Sequence, residues 1–131
     1  MEIVHSRGCV YALEYHIVWC TKYRRKVLWP SVERKLRQIL DAIADGQGIN
    51  IEEFNTDKDH IHMLIAATPY TDIPEMIKTM KGRTAYILFR EFPWIRRYLW
   101  HGHLWSPSYF IATVSENTEE QIRHYIQTQK E

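Results

Sequence analysis

The chain has 131 residues, 45% of them hydrophobic and 25% charged, with a formal net charge of +1. That is an ordinary globular balance, enough for one domain with its own core. It is too neutral to hold nucleic acid through its overall field, so any such binding must come from local patches.

No basic-then-apolar leader opens the chain, and no apolar run approaches the ~18–20 residues of a membrane span. Cys9 and Cys20 have neither metal-type nor redox-type spacing, which predicts free thiols in a reducing cytoplasm. The expectation is a soluble cytoplasmic protein. Five Trp and eight Tyr are rich for this length, and stacking on unpaired bases is one use for spare rings.

Residues 1–8 show no periodicity and read as a loosely held lead-in. From Tyr11 to about Lys22 the pattern is that of a strand, apolar on both faces at Val18-Trp19-Cys20, so an interior one is predicted. It runs into Lys22-Tyr23-Arg24-Arg25-Lys26, which reads either as a solvated turn or as a phosphate-gripping patch with a stacking ring. Pro30-Ser31 opens a helix with Ser31 as its cap, and Val32, Leu36, Ile39, Leu40 and Ile43 form one apolar stripe. Gly46-Gln47-Gly48 ends it.

Residues 49–55 alternate as a second strand, and Thr56-Asp57-Lys58-Asp59 is a hairpin-type turn. The third strand, His60-Ile61-His62-Met63-Leu64-Ile65, puts both imidazoles on one face and Ile61, Met63 and Ile65 on the other. Two neutral imidazoles so placed can share a divalent ion when a third ligand arrives from elsewhere. They can equally be hydrogen-bonded surface histidines.

Asp72-Ile73-Pro74-Glu75 has capping-box spacing and opens a long helix that stops before Pro93, decorated by Lys78, Lys81, Arg83 and Arg90. Residues 93–104 are a basic, aromatic loop whose His101-Gly102-His103 is a weaker ligand pair. Trp105 to Val114 is the last strand, and Asn117-Thr118-Glu119-Glu120 caps a final helix.

The order strand, helix, strand, strand, helix, strand matches a ferredoxin-like or RRM-like α+β layout, an antiparallel sheet with helices on one face. An extra C-terminal helix follows. No linker or repeat divides the chain, so residues 1–131 are expected to be one domain. On the last helix Ile122, Tyr125, Ile126 and Gln129 share a face. That face is either a docking surface or a phenol paired with an amide oxygen, as metal-assisted phosphoryl transfer would need.

Residues 59–64 (DHIHML), 15–28 (YHIVWCTKYRRKVL), 104–114 (LWSPSYFIATV) and 119–129 (EEQIRHYIQTQ) together resemble the single-tyrosine HUH transposases of the IS-two-hundred type. HUH denotes histidine, bulky hydrophobe, histidine, which His60-Ile61-His62 satisfies. The four motifs stand in order over nearly the whole chain.

The resemblance implies a dimeric DNA transposase, acting on single-stranded DNA with imperfect hairpins at insertion-sequence ends. It implies Tyr125 as nucleophile forming a 5′-phosphotyrosine, and His60, His62 and Gln129 as ligands of Mg2+ or Mn2+. It also implies sites that can be composite between subunits. The link Ser115-Glu116-Asn117 lacks the glycines expected before a mobile tyrosine helix.

Asp59 is placed to orient an imidazole, or is a turn residue. Lys22, Tyr23, Arg24, Arg25, Lys26, Lys78, Lys81 and Arg83 are the expected DNA contacts. The competing readings are a domesticated or repeat-associated HUH nickase, a non-catalytic single-strand-binding module, and a metal hydrolase in which water attacks.

Overall fold

The computed structural model describes residues 3–99, 102–114 and 118–129. Its centre is a four-stranded antiparallel sheet made of β3 (Glu14–Cys20), β4 (Asn50–Asp57), β5 (His60–Ala66) and β6 (Phe110–Thr113), in the spatial order β4-β5-β3-β6. With helices α1 (Pro30–Gly46) and α2 (Ile73–Glu91) as its crossovers, this is the ferredoxin-like arrangement. A third helix, α3 (Thr118–Thr128), closes the described chain.

The two faces of the sheet have different chemistry. Ile61, Met63 and Ile65 of β5, with Ile17 and Trp19 of β3, are all fully buried in the cluster that also contains Val32, Leu36 and Leu40 of α1 and Met76, Ile77, Met80 and Leu88 of α2. Period-2 alternation sends His60, His62 and Leu64 to the opposite face. Residues directly paired across a ladder share a face. Cys20 pairs with His60, Val18 with His62, and Phe110 with Val18, so these groups form rows on that second face. α3 packs there, against β3 and β6. Val18, Cys20 and Ile122 are buried yet lie outside the main cluster, forming a second apolar layer under α3.

Several local expectations need correction. The lead-in is a β-hairpin, β1 (Val4–Ser6) paired with β2 (Cys9–Tyr11), turning at Gly8, whose φ of 79° suits glycine. Tyr11 therefore belongs to that hairpin, and the first strand of the main sheet begins at Glu14. α1 begins two residues earlier than expected, at Pro30, with Trp29 rather than Ser31 in the cap position and no side-chain cap; proline's fixed φ suits the first helical turn.

The last strand is shorter than expected. Trp105 makes an isolated bridge to Thr21, and Ser106-Pro107-Ser108 interrupts the ladder before Phe110. Pro93–Tyr98 form a short 3-10 helix inside the expected loop. The Asp72 cap stands, its carboxylate accepting from Glu75 N–H at 3.2 Å. His101 and Asn117 lie outside the described residues.

Ile61→Ala should lower the unfolding free energy by about 2–5 kcal/mol, because Ile61 is fully buried between sheet and helices. Tyr70→Ala, at a residue 80% exposed, should stay within about 0.5 kcal/mol. Urea unfolding of the two variants checks this.

Candidate nucleic-acid processing site

The turn between β4 and β5 sets the first half of the site. Asp59 is only 5% exposed, and its carboxylate reaches in two directions. Oδ1 lies 2.8 Å from Nδ1 of His60, and Oδ2 accepts from Arg24, Nε at 3.1 Å and a terminal nitrogen at 3.0 Å. A carboxylate only accepts, so Nδ1 of His60 carries the hydrogen and Nε2 keeps its lone pair.

Burial alone would raise the Asp59 carboxyl. The His60 hydrogen bond and the Arg24 guanidinium outweigh it and hold Asp59 below its usual value. The backbone adds to this tie, since Thr21 N–H donates to Asp59 O at 2.9 Å and the Thr21 hydroxyl lies 3.2 Å from the same oxygen.

His62 has a partner that the motifs did not single out. Its Nε2 lies 2.8 Å from Nδ1 of His16, with the two rings 5.0 Å apart. Burial, then the neighbouring His16, lowers the His62 pKa, which favours the neutral His62 ring, and one hydrogen lies between the two nitrogens. The available signal was parity: His16 lies two residues before Val18 on β3, on the histidine face.

The second half of the site is a chain of hydroxyls. Ser106 Oγ and Ser108 Oγ both donate to Gln129 Oε1, at 3.1 and 3.0 Å. Ser108 has spent its one hydrogen there, so the Tyr125 phenol donates to Ser108 Oγ at 2.7 Å. Tyr125 also lies against Phe110, ring centroids 5.8 Å apart. Burial raises its pKa, so the phenol holds its proton at neutral pH. The structure thus brings Tyr125 and Gln129 together. Phe110 and His62 stand in one row, two strands apart, which is roughly 10 Å of backbone at ~4.8 Å per strand.

The candidate DNA contacts separate into groups. Arg25 and Lys26 are exposed, and Tyr23 is 37% exposed with Lys22 Nζ 5.0 Å from its ring centre. Tyr23 and Arg24 have φ of 58° and 54°, a costly left-handed pair held in place by the Arg24–Asp59 tie. Lys22, Tyr23, Ser106, Pro107, Ser108, Thr128 and Gln129 line one cleft of ~560 Å3. Lys78 and Arg83 are exposed on α2, on the helix-covered side of the sheet. Lys81, expected beside them as a DNA contact, is instead turned inward, its ammonium donating to Ser106 O at 2.6 Å and Ser108 O at 3.0 Å.

Among the described residues, Asp57, Asp59 and His60 offer metal-ligating atoms within 4.8 Å of one another, a set that overlaps the expected one only at His60. Of the two acids, Asp59 is already held by His60 and Arg24. The Nε2 lone pair of His60 could take a divalent cation, whereas His62 Nε2 is turned to His16 and Gln129 Oε1 to two serines. Imidazole and amide oxygen together suit Mg2+, Mn2+ or a similar ion.

Acid should loosen this centre in two stages. With its folded pKa lowered, His62 contributes stability that is lost as pH falls below 6.5, where the unfolded chain takes the proton first. Asp59, also lowered, contributes stability present above 3.8 and lost as pH falls through its folded value. Urea midpoints from pH 8 to 3 should fall in both windows. Asp59→Asn should flatten the lower limb and His62→Gln the upper.

Residues 9–129 match the family model for IS200-like transposases. The chain is 45% identical over 129 residues to the ISDra2 transposase TnpA of Deinococcus radiodurans, covering 98% of this chain and 92% of that one. It is 29% identical over 130 residues to the transposase for insertion sequence element IS200 of Salmonella typhimurium, covering 99% and 83%.

Among solved structures, a Deinococcus radiodurans R1 chain assigned as a transposase superimposes with a TM-score of 0.90 at 43% identity, over 96% of this chain and 97% of that one. A REP-associated tyrosine transposase, solved bound to a REP hairpin, shares the fold at a TM-score of 0.61 and 15% identity, over 93% and 68%. The chain belongs to the family of IS200-like transposases.

Proposed function

We propose that residues 1–131 form a single HUH transposase domain that cuts and rejoins single-stranded DNA at the ends of an insertion sequence, with Tyr125 as nucleophile. The observation that carries this is the placement of Tyr125 and Gln129 on the same sheet face as the His60/His62 pair, in a chain of this family.

In this reading the Tyr125 oxygen forms a bond to the scissile phosphorus and the bond to the 3′ oxygen breaks. A 5′-phosphotyrosine results; the phenol's proton passes to solvent water, and the departing 3′ oxygen takes one up from water to become a free 3′-hydroxyl. Reversal by a second 3′-hydroxyl rejoins the strand without a nucleotide cofactor, because the phosphodiester energy stays in the covalent link. His60, His62 and Gln129 would hold a divalent cation, Mg2+ or Mn2+, once His62 Nε2 turns from His16 and Gln129 Oε1 from the two serines, and it would supply positive charge to polarise the phosphate and favour phenolate. Asp59 keeps His60 in the tautomer that presents Nε2. Arg24 holds Asp59 in turn.

Arg25 and Lys26 supply exposed cations for the strand, and Tyr23 an exposed ring for stacking. The same fold in the REP-associated transposase is bound to a hairpin, and we extend that partner class to this chain. The enzyme works as a homodimer in the cytoplasm; among the described residues no helix is long and apolar enough to cross a membrane.

The test is incubation with single-stranded oligonucleotides from the DNA flanking the gene, with Mg2+ or Mn2+, on a denaturing gel. A covalent protein–DNA band should appear that needs metal and disappears in Tyr125→Phe. His60→Ala and His62→Ala should each reduce it by about a hundredfold or more, the scale of losing a ligand or its support. Cleavage without an adduct would point to a water-attacking hydrolase, and binding without cleavage to a binding module.

A further inference from the structure

Lys81 stands out because its charge faces inward. It sits on α2, the helix side of the sheet, yet its Nζ lies 6.0 Å from the Trp19 ring centre and donates to the carbonyls of both Ser106 and Ser108. Burial brings its pKa down to about 8, while the two carbonyl bonds favour the charged form. An ammonium taken out of water at that cost is not a free phosphate contact.

What it holds is the turn on which the rest of the site hangs. Ser106-Pro107-Ser108 interrupts the last strand, so two of its carbonyls have left the ladder and need another donor. Lys81 supplies it. The same turn is tied from its other side by Ser106 N–H donating to Cys20 O at 2.9 Å, and just before it by Trp105 Nε1–H donating to Thr84 Oγ1 at 2.9 Å. The hydroxyls of these two serines then hold Gln129 and Tyr125. A continuous path therefore runs from the Lys81 ammonium, through two carbonyls and two hydroxyls, to the phenol and the amide.

We infer that Lys81 is a positioning residue: by clamping the Ser106–Ser108 turn it sets where the Tyr125 phenol and the Gln129 amide sit. This rests on the reading of Tyr125 as nucleophile, and it assigns Lys81 a role in aligning the reaction rather than in holding DNA. An error of about 1 Å in such a group costs on the order of a hundredfold in rate.

The test uses the full chain with 13Cζ-labelled tyrosine. Tyr125 is one of eight tyrosines, and its resonance is assigned by its loss in Tyr125→Phe. In Lys81→Met, which keeps the stem beside Trp19, the Tyr125 resonance should shift and its titration fall to the free value of about 10. Adduct formation should slow by about tenfold to a hundredfold, with affinity for the flanking single-stranded oligonucleotide within about twofold. Lys81→Arg, which keeps donors for the carbonyls, should recover most of the rate. Ser108→Ala should shift the Tyr125 resonance and slow the adduct without touching Lys81 or the core.

A Lys81→Met protein with the wild-type Tyr125 resonance and titration overturns the inference. So does a parallel loss of affinity with a salt slope reduced by about one, which is the mark of a phosphate contact. If Lys81→Met does not fold, Ser108→Ala decides, and an unchanged resonance there overturns the clamp. If the wild type forms no adduct at all, the nucleophile reading fails, while the resonance measurements still judge Lys81.

Discussion

The buried carboxylate of Asp59 is the interaction on which the histidine half of the molecule depends. It fixes the His60 tautomer, pairs with Arg24, and its backbone carbonyl receives Thr21 N–H. Through those bonds one residue joins the end of β3, the basic turn after it and the start of β5. A buried acid is unfavourable alone. Here a guanidinium and an imidazole N–H share the charge, so the arrangement holds only while all three are present. The strained backbone at Tyr23 and Arg24 is held by the same tie, which sets the Arg25–Lys26 pair beyond it at the edge of the site.

The tyrosine half is organised differently. It hangs on a break in the last strand, where carbonyls freed from the ladder meet Lys81 and serine hydroxyls meet Tyr125 and Gln129. The two halves meet across the rows His60–Cys20 and His62–Val18–Phe110, with a thin apolar layer of Val18, Cys20 and Ile122 beneath α3. That layer is small compared with the main core, so α3 is held by few apolar groups and a short run of hydroxyl bonds. Cys20 belongs to this layer as a neutral thiol, its pKa pushed up to about 11 chiefly by burial and then by the nearby Asp59 charge. It acts there as a small hydrophobe.

Much of this was legible in the sequence, for definite reasons. Period-2 alternation placed His60 and His62 together because a strand has no other way to bury Ile61, Met63 and Ile65. The order of elements led to the ferredoxin-like sheet, and the Asp72 cap is where its spacing put it. Helical periodicity set Tyr125 and Gln129 on one face, and both contact Ser108.

Other features rest on contacts between distant segments. The Arg24–Asp59 pair spans 35 residues and the His16–His62 pair 46, and no local pattern announces either. Lys81 looks like its neighbours Lys78 and Arg83 until the broken strand supplies carbonyls for it. The β1–β2 hairpin was missed because three-residue strands are too short to show a period, although Gly8 marked its turn.

Locating the covalent bond decides whether Tyr125 is the nucleophile. Wild-type protein is reacted with a single-stranded flanking oligonucleotide and metal, digested with nuclease and trypsin, and analysed by mass spectrometry. Cleavage after Arg123 and Lys130 yields the peptide 124–130, in which Tyr125 is the sole tyrosine. With Tyr125 as nucleophile, that peptide carries a nucleotide 5′-phosphate on Tyr125. A nucleotide on any other residue, or a cut strand with no modified peptide, would contradict it.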